Sequence, residues 1–210
     1  MARAKKENIS KTEVKANTLE KDIKSTLNKK EARLNRLELQ RKLKQKKQEI
    51  DIEIKNISTW DVDYIDPREK QQIFSLSKVG SKDSTEFIDL DTLYRIVRRS
   101  PGFFEEHRLI ISDVDSLDVE CTPMDIIDFL GLNSLYEHIR NPNEDYLEYF
   151  LSDKVDINSF EKILNKNNVE LTRRLAERAI DLHKKKKFDS GLKAKLLAKR
   201  IGIEDLYLFS

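Results

Sequence analysis

Residues 10–57 contain neither glycine nor proline and are dense in Lys, Glu, Gln, Leu and Arg, the residues that form helices most readily. The larger apolar side chains fall at Leu19, Ile23, Leu27, Leu34, Leu37, Leu39, Leu43, Ile50, Ile54 and Ile57, and steps of 3, 4 and 7 dominate. That spacing predicts a single apolar stripe on one helix. The step from Leu37 to Leu39 breaks the register, and Lys30 and Arg41 interrupt the seam, so the heptad is imperfect. A continuous helix over these roughly 48 residues would be a rod of about 70 Å at about 1.5 Å per residue. Nothing in it signals a turn, so its stripe calls for another surface, most simply a second helix. The expected helix-partner interface is Leu19, Ile23, Leu27, Leu34, Leu37, Leu43, Ile50, Ile54 and Ile57. Residues 1–9 are expected to form a disordered basic tail.

Charge divides the chain in the same way. Residues 1–57 hold 17 Lys/Arg against 9 Asp/Glu, residues 58–165 hold 11 against 23, and residues 166–210 hold 12 against 6. A basic, acidic, basic order points to an anionic partner for the ends, or to one part of the protein facing another copy. The densest runs are "RKLKQKKQ" (41–48) and "HKKKKFDSGLKAKLLAKR" (183–200). Arg41, Lys42, Lys44, Lys46 and Lys47, together with Lys184, Lys185, Lys186 and Lys187, are the candidate contacts for nucleic-acid backbone or an acidic protein. Clustered point charges suffice for phosphate neutralisation. Aromatic interleaving, which single-strand stacking uses, is confined to Phe188 in these runs.

The rest of the chain predicts two further regions. Residues 58–120 form a small acidic α+β unit. Asp66, Pro67 and Glu69 have the spacing of a helix start. Two apolar segments near 72–79 and 85–90 flank Gly80-Ser81-Lys82-Asp83-Ser84 and predict a hairpin. Asp91 is placed to cap a short helix that Pro101-Gly102 ends, and "HRLIISDV" is a third strand. Residues 121–210 form a helical bundle. Thr122 and Pro123 open its first helix, and others are expected near 133–141, 144–152, 157–166, 168–187 and 190–201. "FLGLNSLYEHI" (129–139) echoes "RIGIEDLYLFS" (200–210); each describes a helix ending on a left-handed Gly with an apolar residue tucking back. The fold class is therefore mainly α, with a long coiled-coil-like N-terminal helix, a small α+β unit with a hairpin, and a C-terminal helical bundle.

Two stretches carry a resemblance. "RLIISDVDSLDVE" (108–120) resembles the first motif of the haloacid-dehalogenase-like phosphatases, in which Asp113 would attack phosphorus and Asp115 would serve as acid/base. That resemblance covers about eight residues and implies a parallel sheet with later acidic and basic motifs, whereas the sequence after residue 121 reads as helix. Ser116 also departs from the family pattern. "LLAKRIGIEDLYLFS" (196–210) resembles the first helix and turn of a helix-turn-helix through Ala198 and Gly202. The second helix would have under two turns and would start with Glu204 and Asp205, where DNA phosphates would lie.

Metal, cofactor and nucleophile signals are weak. Asp113, Asp115 and Asp118, or Asp61, Asp63 and Asp66, lack the glycine and the final glutamate of a calcium loop. His107, His138 and His183 lie far apart, and no paired-cysteine motif exists. Cys121 precedes a helix cap, a place that can lower a thiol pKa, but its size suits a half-buried packing role. Gly-rich phosphate loops and Gly-x-Ser-x-Gly are absent. Neither catalytic residues nor cofactors are expected. No apolar run approaches the roughly 18–20 residues of a membrane span, and a secretion signal is not recognisable, so an intracellular setting is expected. A composition rich in Lys, Asn, Ile, Glu and Asp suits an AT-rich microbial or viral genome. The function expected is that of a non-enzymatic, oligomerising adaptor or assembly factor; the alternatives are a purely structural scaffold component and a phosphatase-like enzyme.

Overall fold

The computed structural model describes residues 30–137, 139–164 and 169–203. It shows a mainly helical protein with an N-terminal helix and a small antiparallel β region. The chain divides into two units, Met1–Gln45 and Lys46–Ser210. In the first, the described residues 30–45 form helix α1. Leu34 and Leu37 are 65% and 51% exposed, and Leu43 is buried. Leu19, Ile23 and Leu27 of the expected interface lie outside the described residues.

The expectation of one helix to residue 57 is corrected. α1 stops at 45, the chain turns with the Glu49 N–H donating to the Lys46 carbonyl (2.9 Å), and β1 runs Asp51–Asn56. Ile50, Ile52 and Ile54 alternate with Asp51, Glu53 and Lys55, a period of two, and all three isoleucines are fully buried. Steps of 4 and 3 through Ile50, Ile54 and Ile57 also fit a helix; Ile52 breaks the tie, because a β-branched residue at that position suits a strand. Ile50, Ile54 and Ile57 are therefore core residues of the second unit and not a partner interface.

β1 is the middle strand of an antiparallel sheet ordered β4-β1-β5, with β4 at Thr85–Asp89 and β5 at Leu109–Asp115. Ile52 stands opposite Ile88 on one side and Val114 on the other, and a bulge lies between Glu53 and Ile54. A separate hairpin pairs β2 (Val62–Ile65) with β3 (Gln72–Leu76). This corrects the predicted pairing: 85–90 adds to β1, and the hairpin partner of β3 precedes it. Asp66 does not start a helix. It closes the β2–β3 turn, accepting from the Arg68 N–H (2.8 Å) and from Arg99 Nη1 (3.0 Å).

Helix α2 (Leu90–Arg99) follows β4 directly, and its N-cap is Asp89, which accepts from the Thr92 N–H; the sequence pointed to Asp91, two residues on. α2 packs on β1 and β4, while the short α3 (Gly102–Glu105) and α4 (Pro123–Leu130) pack on β5. Thr122 caps α4 as expected, in a reciprocal box with Asp125. α5 (Asn133–Tyr136), α6 (Tyr146–Leu151), α7 (Ile157–Leu164), α8 (Val169–Lys184) and α9 (Gly191–Ile201) complete the fold, with α8 packed against both α6 and α9. The left-handed turn of the repeated corner is present twice: Gly131 and Gly202 sit at φ +76° and +74°, and the next N–H in each case reaches back five residues, Leu132 to Ile127 (3.0 Å) and Ile203 to Ala198 (3.1 Å). The new helix expected within two residues follows Gly131 as α5, and after Gly202 it would fall outside the described residues.

Two buried arginines anchor α8, Arg174 to the α+β region and Arg178 to the start of α6. Arg174 donates to the Glu106 carbonyl (2.9 Å) and carboxylate (3.1 Å), and to Glu177 (2.7 Å). Arg178 is paired with Asp145 and lies 3.3 Å from Glu148. The predicted boundary at 120/121 therefore separates two regions of one unit.

Candidate functional site

Of the five candidate cations at 41–47, Lys42, Lys46 and Lys47 are in ion pairs. On α1, Arg41 and Lys44 are exposed, and Lys42 pairs with Glu38 (3.0 Å) one turn back. Lys46 and Lys47 fall in the turn after the helix. Asp118 and Glu49 both hold the Lys46 ammonium, and its pKa rises as a result. The Lys47 ammonium lies 3.6 Å from the centre of the Tyr94 ring and 3.5 Å from Asp91, and the Lys47 carbonyl accepts from the Asp91 N–H (3.2 Å). These two lysines fasten the turn to α2 and to the loop after β5.

The C-terminal run is different. Lys184, Lys185, Lys186 and Lys187 are all exposed, at the end of α8. The Lys187 N–H donates to the Leu182 carbonyl (2.8 Å), and Lys186 takes φ +56°, so the helix ends in a tight left-handed turn that spreads the four side chains. Lys185 pairs with Asp181 (2.8 Å). Lys185 and Lys187 then line a groove of about 450 Å3 with Lys55 of β1, Gly80 and Ser81 of the β3–β4 loop, and Arg178 of α8. The Asp145 carboxyl in this groove has a raised pKa, because burial outweighs the attraction of Arg178.

Sequence reading missed Lys55 and Arg178. Lys55 was hidden by the helical reading of 50–57; on a strand it stands between buried Ile54 and Asn56. Arg178 did leave a signal. Arg174 and Arg178 occupy steps of 3 and 7 from Leu171, inside the apolar stripe of α8, where an exposed arginine would not be placed.

Asp113 and Asp115 are exposed on β5, an edge strand of an antiparallel sheet, and Asp113 accepts from the neighbouring Val114 N–H (2.8 Å). The phosphatase resemblance implies a parallel sheet, and the described strands pair antiparallel. Among the described residues, no group of three or more His, Cys, Asp or Glu side chains is arranged to hold a metal ion. Cys121 is half-buried, and burial followed by the nearby Asp125 pushes its thiol pKa up, the reverse of the effect that cap proximity alone suggests. His107 is fully buried and hydrogen-bonded to the Tyr146 hydroxyl (2.7 Å). No described helix is long and apolar enough to cross a membrane. Of the helix-turn-helix resemblance, Ala198 lies on α9 and Gly202 in the left-handed turn that ends it, while the second helix would fall on residues 204–210, outside the described residues. No family model matches this chain, and no curated protein or solved structure is significantly similar to it.

Proposed function

We propose that this protein is a non-enzymatic adaptor or assembly factor that associates with a second copy of itself through α1 and meets nucleic-acid backbone through the lysine run at the end of α8. The observation that carries the reading is the exposure of Leu34 and Leu37 on a helix whose Leu43 is buried. Covering the exposed half to two thirds of these two leucines is worth roughly 1–2 kcal/mol each. Leu19, Ile23 and Leu27 continue the same spacing upstream. A partner helix with the same stripe is the simplest cover. The test is the solution mass of the full chain against Leu34→Glu/Leu37→Glu. The wild type should be a dimer or larger, and the variant a monomer with an unchanged far-ultraviolet circular dichroism spectrum in the β region. A monomeric wild type defeats the reading.

The nucleic-acid half is supported by Lys184, Lys186 and Lys187, which have no ion pair among the described residues. Three or four phosphate contacts predict affinity falling roughly 40–150-fold between 50 and 200 mM salt. A second reading, a scaffold without nucleic-acid contact, is favoured by the neutralisation of Lys42, Lys46 and Lys47 within the chain. It expects a stable self-complex and no salt-sensitive binding to any strand.

A further inference from the structure

The groove between β1, the β3–β4 loop and the end of α8 holds more donors than it uses. Its carboxylates are occupied: Asp145 and Glu148 face Arg178, and Asp181 faces Lys185. Lys55 is half-buried and Lys187 exposed, and neither has an ion pair among the described residues. Arg178 is only 3% exposed, and its Nε–H has no hydrogen-bond partner. That nitrogen is itself out of reach of solvent, so what Arg178 brings to the groove wall is a guanidinium charge held in place through Nη2 by Asp145 and Glu148. Gly80, at φ +83° and with open space where a Cβ would stand, lets a ligand approach the loop backbone, and the Ser81 hydroxyl is beside it.

We propose that this groove is a phosphoryl-binding site, with Lys55, Lys187 and Arg178 as its cationic donors and Gly80-Ser81 as its backbone wall. Cations lining one groove from β1 and from the end of α8, with the Gly80-Ser81 loop as a further wall, suit a tetrahedral oxyanion, which accepts from several directions. A planar carboxylate is already served there by Arg178 alone. A volume of about 450 Å3 leaves room for a phosphoryl group carried on a larger molecule. Backbone phosphate and a free phosphorylated small molecule share this chemistry. The proposal rests on the reading that the lysine run meets a polyanion, and it narrows that contact to one site.

The test titrates the full chain with inorganic pyrophosphate, and separately with a single-stranded oligonucleotide, by calorimetry in 50 mM salt. Pyrophosphate should bind the wild type and bind Lys55→Gln/Lys187→Gln at least tenfold more weakly, with the melting curve showing that the variant is folded. Lys162→Gln/Lys199→Gln, which removes the same charge from exposed positions outside both the groove and the lysine run, should leave pyrophosphate binding unchanged. Parallel weakening of the oligonucleotide identifies backbone phosphate as the occupant. Weakening of pyrophosphate alone, with the oligonucleotide indifferent to Lys55 and Lys187, identifies a small phosphorylated ligand. No pyrophosphate binding to the wild type, or equal binding to wild type and Lys55→Gln/Lys187→Gln, overturns the site. An oligonucleotide that is lost with Lys184→Gln/Lys186→Gln, in a protein that ignores pyrophosphate, overturns the groove and leaves the broader reading standing.

Discussion

Asn56, fully buried at the end of β1, joins the β1–β2 loop to the end of β3 and the β3–β4 loop through one side chain. Its amide nitrogen donates to the carbonyls of Trp60 (2.8 Å), Ser77 (3.0 Å) and Leu76 (3.3 Å), and its oxygen accepts from the Ser58 N–H (2.8 Å) and hydroxyl (2.7 Å). Both ends of the amide are thus required. Asn56→Asp keeps the shape but turns a carboxylate oxygen toward three carbonyls, and should cost about 3–5 kcal/mol, as an unpaired buried charge does. Asn56→Ala should cost less, about 2–3 kcal/mol, by leaving polar groups unmatched. Urea unfolding orders the two variants; equal losses would mean that packing, not hydrogen bonding, is what the site supplies. His107 gives the second prediction at this scale. Burial, followed by the nearby positive charge of Arg174, pushes its pKa down from 6.5 to about 4. The unfolded chain therefore binds the proton more readily than the folded one. The stability His107 contributes is full above pH about 6.5 and is lost as pH falls toward 4, a swing of about 3 kcal/mol at about 1.4 per pH unit. His107→Gln should flatten that slope in urea melts taken between pH 7 and pH 4.5.

Among the elements, helix ends were easier to read than strand partners. The Thr122–Asp125 box and the Gly131 and Gly202 corners depend on residues within five positions of one another, and a helix end is decided by such neighbours. Which strand 85–89 would join depends on β1, tens of residues away, and once 50–57 reads as helix the true partner of β4 disappears. The charged members of α8 were legible in principle, since Arg174 and Arg178 interrupt an apolar stripe, but their partners Glu106 and Asp145 were not. The groove was illegible for the same reason: it is assembled from β1, a loop and a helix end that only the fold brings together. Helix α6 depends on a device of that kind. Lys193 of α9, 4% exposed, donates to the carbonyls of Ser152 (2.6 Å), Phe150 (3.1 Å) and Leu151 (3.4 Å), satisfying and neutralising the C-terminal end of α6. Lys193→Met keeps the volume and strips the donors, so it should lower stability by about 2 kcal/mol. Hydrogen exchange should show the loss first in α6; loss spread evenly over the unit would argue against capping.

At the scale of the whole molecule, the two units are held by different physics. Lys46–Ser210 has its own core, with Ile50, Ile52, Ile54, Leu93, Phe104, Phe160 and Leu175 fully or almost fully buried. The described part of α1 has sixteen residues, 30–45, with Leu34 and Leu37 in water. A helix of about that length is marginal by itself. Its stability should then depend on how often a partner covers the stripe, whereas that of β1 should not. Mass action makes the difference measurable, because a helix that forms by association gains protection with protein concentration. Amides of residues 30–42 should exchange rapidly in dilute solution and slow by about threefold for each tenfold rise in concentration once dimer predominates, because free monomer then grows as the square root of total protein, while those of Asp51–Asn56 stay protected throughout. Leu34→Glu/Leu37→Glu should hold the helix amides at the fast limit at every concentration. Amides of α1 as slow as those of β1 in dilute solution would show that the helix needs no second copy, and its exposed leucines would then have no part in self-association.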